Sequence, residues 1–352
     1  MSERTKTLIA WSIIPQILLV KTLSFFPETI ERLYSNGLYI LISKLMRFAF
    51  GWLPISFGDI VYTLAGLYVI RWLIINRKRI RKDTKKWVRD VFIVVSFIYL
   101  SFHLLWGMNY YRLPLHEQLN LGSTYTTEEL LEVIGILTEK SNAIHSGLVT
   151  NDSLKVNMPY TKSELLDMST EGYESLKAIY PHLNPSPKSV KRSIYSLPLT
   201  YMGFSGYLNP FTNEAQIDGL IPLHKYPTTA CHEQAHQLGY AAENEANFVG
   251  YLAAIQNSDP YFQYSGYIFA LKYCIVELLR RDPDQFEIAK ANINPGIFKN
   301  YDEEREFWMS YQNPLEPIFK VTFNTFLKAN SQEKGIESYS YVVALLVNHY
   351  KG

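Results

Sequence analysis

The sequence predicts an α+β fold that is mostly helical, with a three-helix transmembrane anchor over residues 1–110 and a globular domain over residues 111–352. Three observations carry this. The first 110 residues hold three long apolar runs flanked by charge. Beyond residue 126, apolar residues recur at helical spacing. One stretch, 193–221, breaks into short apolar runs punctuated by Pro198, Gly203, Gly206, Pro210 and Gly219, the pattern of a small antiparallel sheet or hairpin.

Charge divides the chain at the same place. Residues 1–110 contain 15 Lys and Arg against 6 Asp and Glu, whereas the remainder contains 19 against 27. The overall net charge of +1 therefore hides two halves of opposite sign, suited to different surroundings and not to a nucleic-acid binder with one basic face. A composition 47% hydrophobic and 19% charged excludes a disordered or low-complexity chain. Two cysteines, Cys231 and Cys274, exclude a disulfide framework.

The apolar runs lie at 8–26, 57–75 and 91–107. Each is long enough, at 1.5 Å per helical residue, to cross about 30 Å of hydrocarbon, the third only just. Lys21 and Arg71 sit near run ends, where long side chains snorkel to the interface. No small-residue cleavage site follows the first run, so it reads as a retained anchor rather than a signal peptide. Between the first two runs, residues 30–52 alternate apolar positions with Arg32, Lys44 and Arg47, the pattern of an amphipathic helix lying in the interface, with a short re-entrant segment as the alternative. Between the second and third runs, residues 77–89 form a dense cationic loop, which predicts a cytoplasmic location for that loop. Arg4 and Lys6 place the N-terminus on the same side, so everything after Met108 is expected outside the cytoplasm.

In the second half, Thr126 and Glu129 make a capping-box start, followed by Leu130, Val133, Ile134 and Leu137 on one helical face. Thr161 and Glu164 open a second helix, expected to run to about Tyr180. Three prolines mark a turn-rich boundary over 181–188. Further helices are expected at about 228–239, 242–257, 260–281, 300–311, 314–329 and 336–350.

The chemistry concentrates at residues 232–236, His-Glu-Gln-Ala-His. On a helix, i and i+4 share a face, so His232 and His236 can converge on one metal ion. Glu233 then lies close enough to take a proton from water without being a ligand. Zinc suits imidazole and carboxylate donors and keeps an open position for water. Gly239 stands where a left-handed residue would end the helix and let the chain double back. The next helical stretch offers two candidates for a third ligand, Glu243 and Glu245. Glu243 is preferred because Asn247 lies one turn beyond it as a supporting partner, while Glu245 faces elsewhere. Cys231 projects about 100° away from His232 and reads as a buried small hydrophobe. Tyr339, Tyr341, Tyr240 and His224 are candidate donors to a developing oxyanion. The segment 211–218 is a candidate strand for an extended peptide to dock beside.

His232, Glu233 and His236, followed by Glu243, Ala246 and Asn247, resemble the gluzincin pattern, in which a second helix supplies the third ligand. The chain as a whole resembles a bacterial family of membrane-anchored zincin-like proteins catalogued as a domain of unknown function. The resemblance implies a zincin-type core with a small sheet whose edge strand lines the cleft, and a place in the bacterial inner membrane with the domain on the periplasmic side. Two features depart from the commoner pattern: only six residues separate His236 from Glu243, and Asn247 stands where Asp is usual. The expected activity is zinc-dependent hydrolysis of peptide bonds, with peptide or protein substrates, a lipid bilayer as the other partner, and no nucleic acid. A catalytically inactive zinc-binding scaffold and hydrolysis of a non-peptide amide are the alternatives. Cleavage inside the membrane is disfavoured on sequence, because the metal motif lies far from any apolar run.

Overall fold

A computed structural model describes residues 1–330 and 341–351. Helices dominate, and among the described residues one three-stranded sheet accompanies them. The chain opens with α1 (Glu3–Trp11) and α2 (Ile13–Leu23), separated only at Ser12. Pro15 has no N–H to give the carbonyl of Trp11, which accounts for the interruption. A short α3 (Pro27–Thr29) leads into a wide π-type helix (Ile30–Leu38) and then α4 (Tyr39–Phe50). Two long helices follow, α5 (Phe57–Lys82) and α6 (Thr84–Leu105).

Three helices, Glu3–Leu23, Phe57–Lys82 and Thr84–Leu105, are long and apolar enough to cross a membrane. They match the three expected runs with shifted limits. The expected cationic loop is itself helical: its basic residues occupy the last turns of α5 and the first of α6, with a single break at Asp83. Arg79 pairs there with Asp90 at 2.7 Å. Between the apolar helices, Ser96 of α6 meets Ser12 at 2.8 Å and accepts from Gln16 at 2.8 Å, so polar groups at the interface satisfy one another.

The amphipathic segment 30–52 has its polar face turned inward. Tyr39, Ser43 and Arg47, spaced four apart, are buried against the rest of the protein, whereas Leu41, Leu45 and Phe48 on the opposite face are exposed. Its buried hydroxyls and guanidinium find carbonyl partners: Tyr39 and Ser43 donate to the carbonyl of Gln237, and Arg47 donates to those of Asn184 and Pro187.

After a 3-10 turn (Gly107–Tyr111) and α7 (Leu115–Gln118), the body is built from α8 (Thr127–Leu148), α9 (Lys162–Met168), α10 (Glu171–Leu176), β1 (Val190–Arg192), α11 (Ser196–Met202), β2 (Gly206–Asn209), β3 (Glu214–Ile217), α12 (Tyr226–Gln237), α13 (Glu243–Ile255), α14 (Pro260–Arg281), α15 (Pro283–Ala291), α16 (Pro295–Ser310), α17 (Glu316–Ala329) and α18 (Tyr341–Lys351). Both capping boxes form, at Thr126 with Glu129 and at Thr161 with Glu164. The helix expected to reach Tyr180 is split into α9 and α10. Residues 283–291, preceded by the N-cap Asp282, form a helix that apolar spacing alone did not signal. The core runs through α8, α12, α13, α14 and α18, with Leu130, Leu137, Phe248, Leu271 and Leu346 fully enclosed.

The sheet corrects the sequence reading in two ways. Its order is β1-β3-β2, with β1 parallel and β2 antiparallel to β3, so it is mixed rather than purely antiparallel. The apolar run at 194–197, expected as strand, instead starts α11, which ends at Gly203 in a left-handed conformation (φ 81°). Strand β3 lies within the segment expected to take a docking peptide, yet it is central and hydrogen-bonded on both sides. The edge strands are β1 and β2, and β2 is the one that lines the cleft.

The start of α5 is bound directly to this sheet. Glu214 of β3 accepts hydrogen bonds from the amides of Phe57 and Gly58 at 3.1 and 2.6 Å, and pairs with the buried Lys191 of β1 at 2.5 Å. An anion at a helix N-terminus meets both free amides and the positive end of the dipole. In the same first turn, buried Asp59 accepts from Ser193 and the amide of Ile194, both at 2.8 Å, and from Tyr207 of β2. Gln216 of β3 donates to Ser56. Glu214→Ala should therefore strand a buried lysine and two amides, and cost about 3–5 kcal/mol. Thermal unfolding of the purified full chain in detergent should show a clearly lowered midpoint, while Asp167→Asn, which loses only the surface pair with Lys188, should leave it nearly unchanged.

Candidate metal centre

Helix α12 begins after Pro222 with a single 3-10 turn and takes Pro227 in its first turn, where a missing N–H costs nothing. It ends at Gln237, and Gly239 (φ 89°) reverses the chain as the sequence leads one to expect. Helix α13 then packs antiparallel against α12 at very close range. A Cβ on Gly250 would lie 2.8 Å from both the N and Cα of His232, so only glycine lets the two backbones approach this closely.

That approach brings Glu243 to the histidines. Its Oε2 lies 3.4 Å from His232 Nε2 and its Oε1 lies 3.7 Å from His236 Nε2. The two imidazoles stand at 4.7 Å between centroids and nearly perpendicular, 87°. Ligand atoms of His232, Glu233 and His236 fall within 4.8 Å of one another. Glu245, the competing candidate, points the other way and accepts from the amide of Leu115 at 2.7 Å, on the side where Arg112 lies. The structure thus brings Glu243 to the histidine pair and takes Glu245 away from it.

Hydrogen bonding fixes one imidazole. His236 Nδ1 lies 2.7 Å from the carbonyl of Tyr240, which can only accept, so Nδ1 carries the proton and Nε2 presents its lone pair toward Glu243. His232 Nδ1 and one oxygen of Glu233 are buried without partners, as is the side-chain nitrogen of Asn247. Asn247 stands beside His232 and Tyr273. Burial pushes Glu233 up to about 8 and His236 down to about 4. For His232 burial acts downward, but the carboxylates of Glu243 and Glu233 outweigh it and raise the pKa. For Glu243 burial acts upward, and the hydrogen bond from His232 with the charge of His236 outweighs it. Burial and the close approach of these four groups push their pKa values in opposite directions within one cleft.

These residues form part of the wall of a cleft of about 900 Å³. Edge strand β2 supplies another part, and it passes directly over Glu233: a Cβ on Gly206 would lie 2.7 Å from Glu233 Oε1. Of the sequence-proposed oxyanion donors, His224 lines the cleft, with its Nε2 buried and unpartnered. Tyr240 is buried against Arg112 instead. Tyr341 starts α18, away from the cleft wall, and Tyr339 lies outside the described residues. Cys231 is buried, as expected, and burial raises its thiol pKa.

Sequence reasoning missed the contribution of the apolar helices. The indole of Trp106, one residue past α6, donates to the carbonyl of His236 at 3.0 Å. Tyr110, Phe102 and Tyr62 also line the cleft. The metal motif is remote from the apolar runs along the chain but touches their ends in space, which overturns the expectation of a site far from any span. The aromatic string Trp106, Tyr110, Tyr111 at the end of an apolar run was the available signal.

A family model described as "Protein of unknown function (DUF3810)" matches residues 34–347. The chain belongs to the DUF3810 family. No match was found among curated proteins or among solved structures. The match covers the sheet, the metal-motif helices, α5 and α6 together.

Glycine substitutions separate the two kinds of helix contact in this DUF3810 protein. Gly250→Ala should cost about 1–3 kcal/mol through overpacking against the backbone of α12. Gly135→Ala in α8, where nothing lies within 4 Å of the added methyl, should gain about 0.5–1 kcal/mol. Thermal midpoints moving in the same direction would refute the assigned contact.

Proposed function

We propose that this DUF3810 protein is a membrane-anchored zinc metallopeptidase. The observation that carries the reading is the convergence of His232 Nε2 and His236 Nε2 on one carboxylate, Glu243, with the free oxygen of Glu233 in the same corner. Two nitrogens and one carboxylate are a donor set that zinc accepts while keeping a fourth position open. Both Nε2 atoms face the Glu243 carboxylate across 3.4 and 3.7 Å, a donor set that a divalent cation fits. His232, His236 and Glu243 would hold it. When bound, zinc supplies Lewis acidity, polarising a carbonyl and acidifying water.

The chain's own groups do the rest. Glu233, in its ionised form, takes the proton of the attacking water and returns it to the departing nitrogen. The Tyr240 carbonyl keeps His236 in the tautomer that ligates through Nε2. Edge strand β2 offers unpaired main-chain groups along the cleft, to which an extended peptide can add by backbone hydrogen bonds. Gly206, lacking a Cβ, lets β2 run close beside Glu233, so a peptide added along β2 would pass near the base. The reading also takes the resemblance to bacterial zincin-like proteins, and an orientation in which the basic ends of α5 and α6 face the cytoplasm and the body lies on the periplasmic side.

Purified wild-type protein should contain about one zinc per chain by elemental analysis. His232→Ala, His236→Ala and Glu243→Ala should lose it, whereas Glu245→Gln should keep it. Full occupancy in all three alanine variants would remove the site. Against a fluorogenic peptide library, Glu233→Gln should retain the metal and lose turnover by about 10²–10⁴-fold. Metal retention with no cleavage by the wild type either would favour the inactive zinc-binding scaffold.

A further inference from the structure

The cleft has a second set of walls that its chemistry does not require. In the body, large exposed apolar side chains gather on two segments: Ile194, Leu197 and Tyr201 around α11, and Leu315, Ile318 and Val321 along one face of α17. Ile318 and Val321 are 60% and 65% exposed, more than a soluble helix ordinarily leaves uncovered in a contiguous patch. The two segments join: Asn313 donates to the carbonyl of Tyr201, and Phe204 packs edge-on against Phe323 at 5.1 Å.

Each segment is also fastened to a different apolar helix. Tyr195, just before α11, donates to the carbonyl of Asp59 and meets Thr63 at 2.6 Å, both on α5. Phe326 of α17 packs against Phe102 of α6 at 6.0 Å and against Tyr110 at 5.9 Å. Helices α5, α11, α17 and α6 therefore form a chain of contacts along the mouth of the cleft, while α5 and α6 meet each other toward their basic ends, where Trp72 stacks on Trp87 and Arg79 pairs with Asp90.

The depth of those contacts follows from helix arithmetic. The basic ends of α5 and α6 set one edge of the hydrocarbon, at about Arg77 on α5 and Asp90 on α6. A core about 30 Å thick spans about 20 residues at 1.5 Å each, which puts the opposite edge near Phe57 on α5 and just past Leu105, where α6 ends. The cleft-lining Tyr62 then lies about 8 Å below that edge, and Phe102, in the last turn of α6, also lies below it. Thr63, where Tyr195 docks, lies about 9 Å below. The exposed apolar face of α4, with Leu41, Leu45 and Phe48, belongs to the same end of the molecule, beside the sheet that holds the start of α5.

We propose that the α11–α17 ridge is immersed in the leaflet on the side of the body, and that the cleft opens sideways into it between α5 and α6 and this ridge. The substrate class follows from the opening: a peptide that emerges from the bilayer, carried by a transmembrane segment or a lipid anchor, reaches Glu233 without leaving the membrane surface. This substrate class rests on the metallopeptidase reading; the membrane face does not.

The test uses the full chain reconstituted in vesicles of phosphatidylethanolamine and phosphatidylglycerol, with a photo-reactive benzoylphenylalanine at one position at a time. Ile318, Val321 and the cleft-lining Met202 should yield phospholipid adducts by intact mass, and Ile288 and Ile179, exposed apolar residues elsewhere on the body, should not. Absence of adducts at Ile318 and Val321, or equal adducts at Ile288, would overturn the membrane face. A uniform crosslink to another protein at these positions would overturn it too, assigning the ridge to a protein partner. For substrate class, one reporter peptide is presented either free or just outside a transmembrane segment in the same vesicles. Ile318→Lys with Val321→Lys should slow cleavage of the tethered form at least tenfold and leave the free form and zinc content unchanged. Equal slowing of both forms would overturn lateral delivery. If wild type cleaves neither form, the hydrolase reading and its substrate class fail, while the lipid adducts still decide the membrane face.

Discussion

The carboxylate of Glu214 sits at the N-terminus of α5, and much of the architecture follows from it. A central β-strand residue ordinarily has no reason to bury a charge. Here the charge meets two helix amides and the ammonium of Lys191, which together replace the water it lost. Asp59, the next residue along the helix, adds a second buried carboxylate there, satisfied by Ser193 and Tyr207. With β3 and β2 both bound to α5, the edge of the sheet can only face the space between α5 and α12. The position of the cleft relative to the long apolar helices is thereby set by charge satisfaction rather than by loop length.

Within that space the four groups of the candidate centre divide into two kinds. His232, Glu233 and His236 are placed by helix α12 alone. Glu243 is placed by contact, since it depends on the absence of a side chain at Gly250 and on the reversal at Gly239. Short separation along the chain makes this compact: the turn between α12 and α13 needs only a few residues, because the two helices touch at backbone distance. Away from the centre, the cleft wall carries a Lys225–Glu304–Lys272 triad, where burial would raise Glu304 but the two ammonium groups pull it down to about 2.

The features readable in the sequence are those written in short-range periodicity or in single residues with special backbone needs. The three apolar runs, the i and i+4 histidines, the capping residues Thr126 and Thr161, and the left-handed Gly239 all belong to this group. Glu243 over Glu245 was readable too, since helical phase alone separates them. What escaped is long-range. Nothing local announces that Glu214 meets Phe57 and Gly58, 157 and 156 residues away, or that β1 joins β3 in parallel. The run at 194–197 has the composition of a strand, yet it turns helical at Ser196, and its own Tyr195 is anchored to α5. Trp106 looked like the end of an apolar run and turned out to cap the histidine helix.

That capping has a consequence for how the protein is made. The last carbonyls of α12 have no partners within the helix. His236 receives the indole of Trp106, Gln237 the hydroxyls of Tyr39 and Ser43, and Gly239 the guanidinium of Arg112. Every one of these donors precedes the helix by more than a hundred residues, so each has left the ribosome before the histidines are translated. The nascent chain lays down the receiving surface first and the histidine-bearing helix closes onto it later. A fragment beginning at residue 113 would lack all four donors and be born with frayed ends where the chemistry is concentrated.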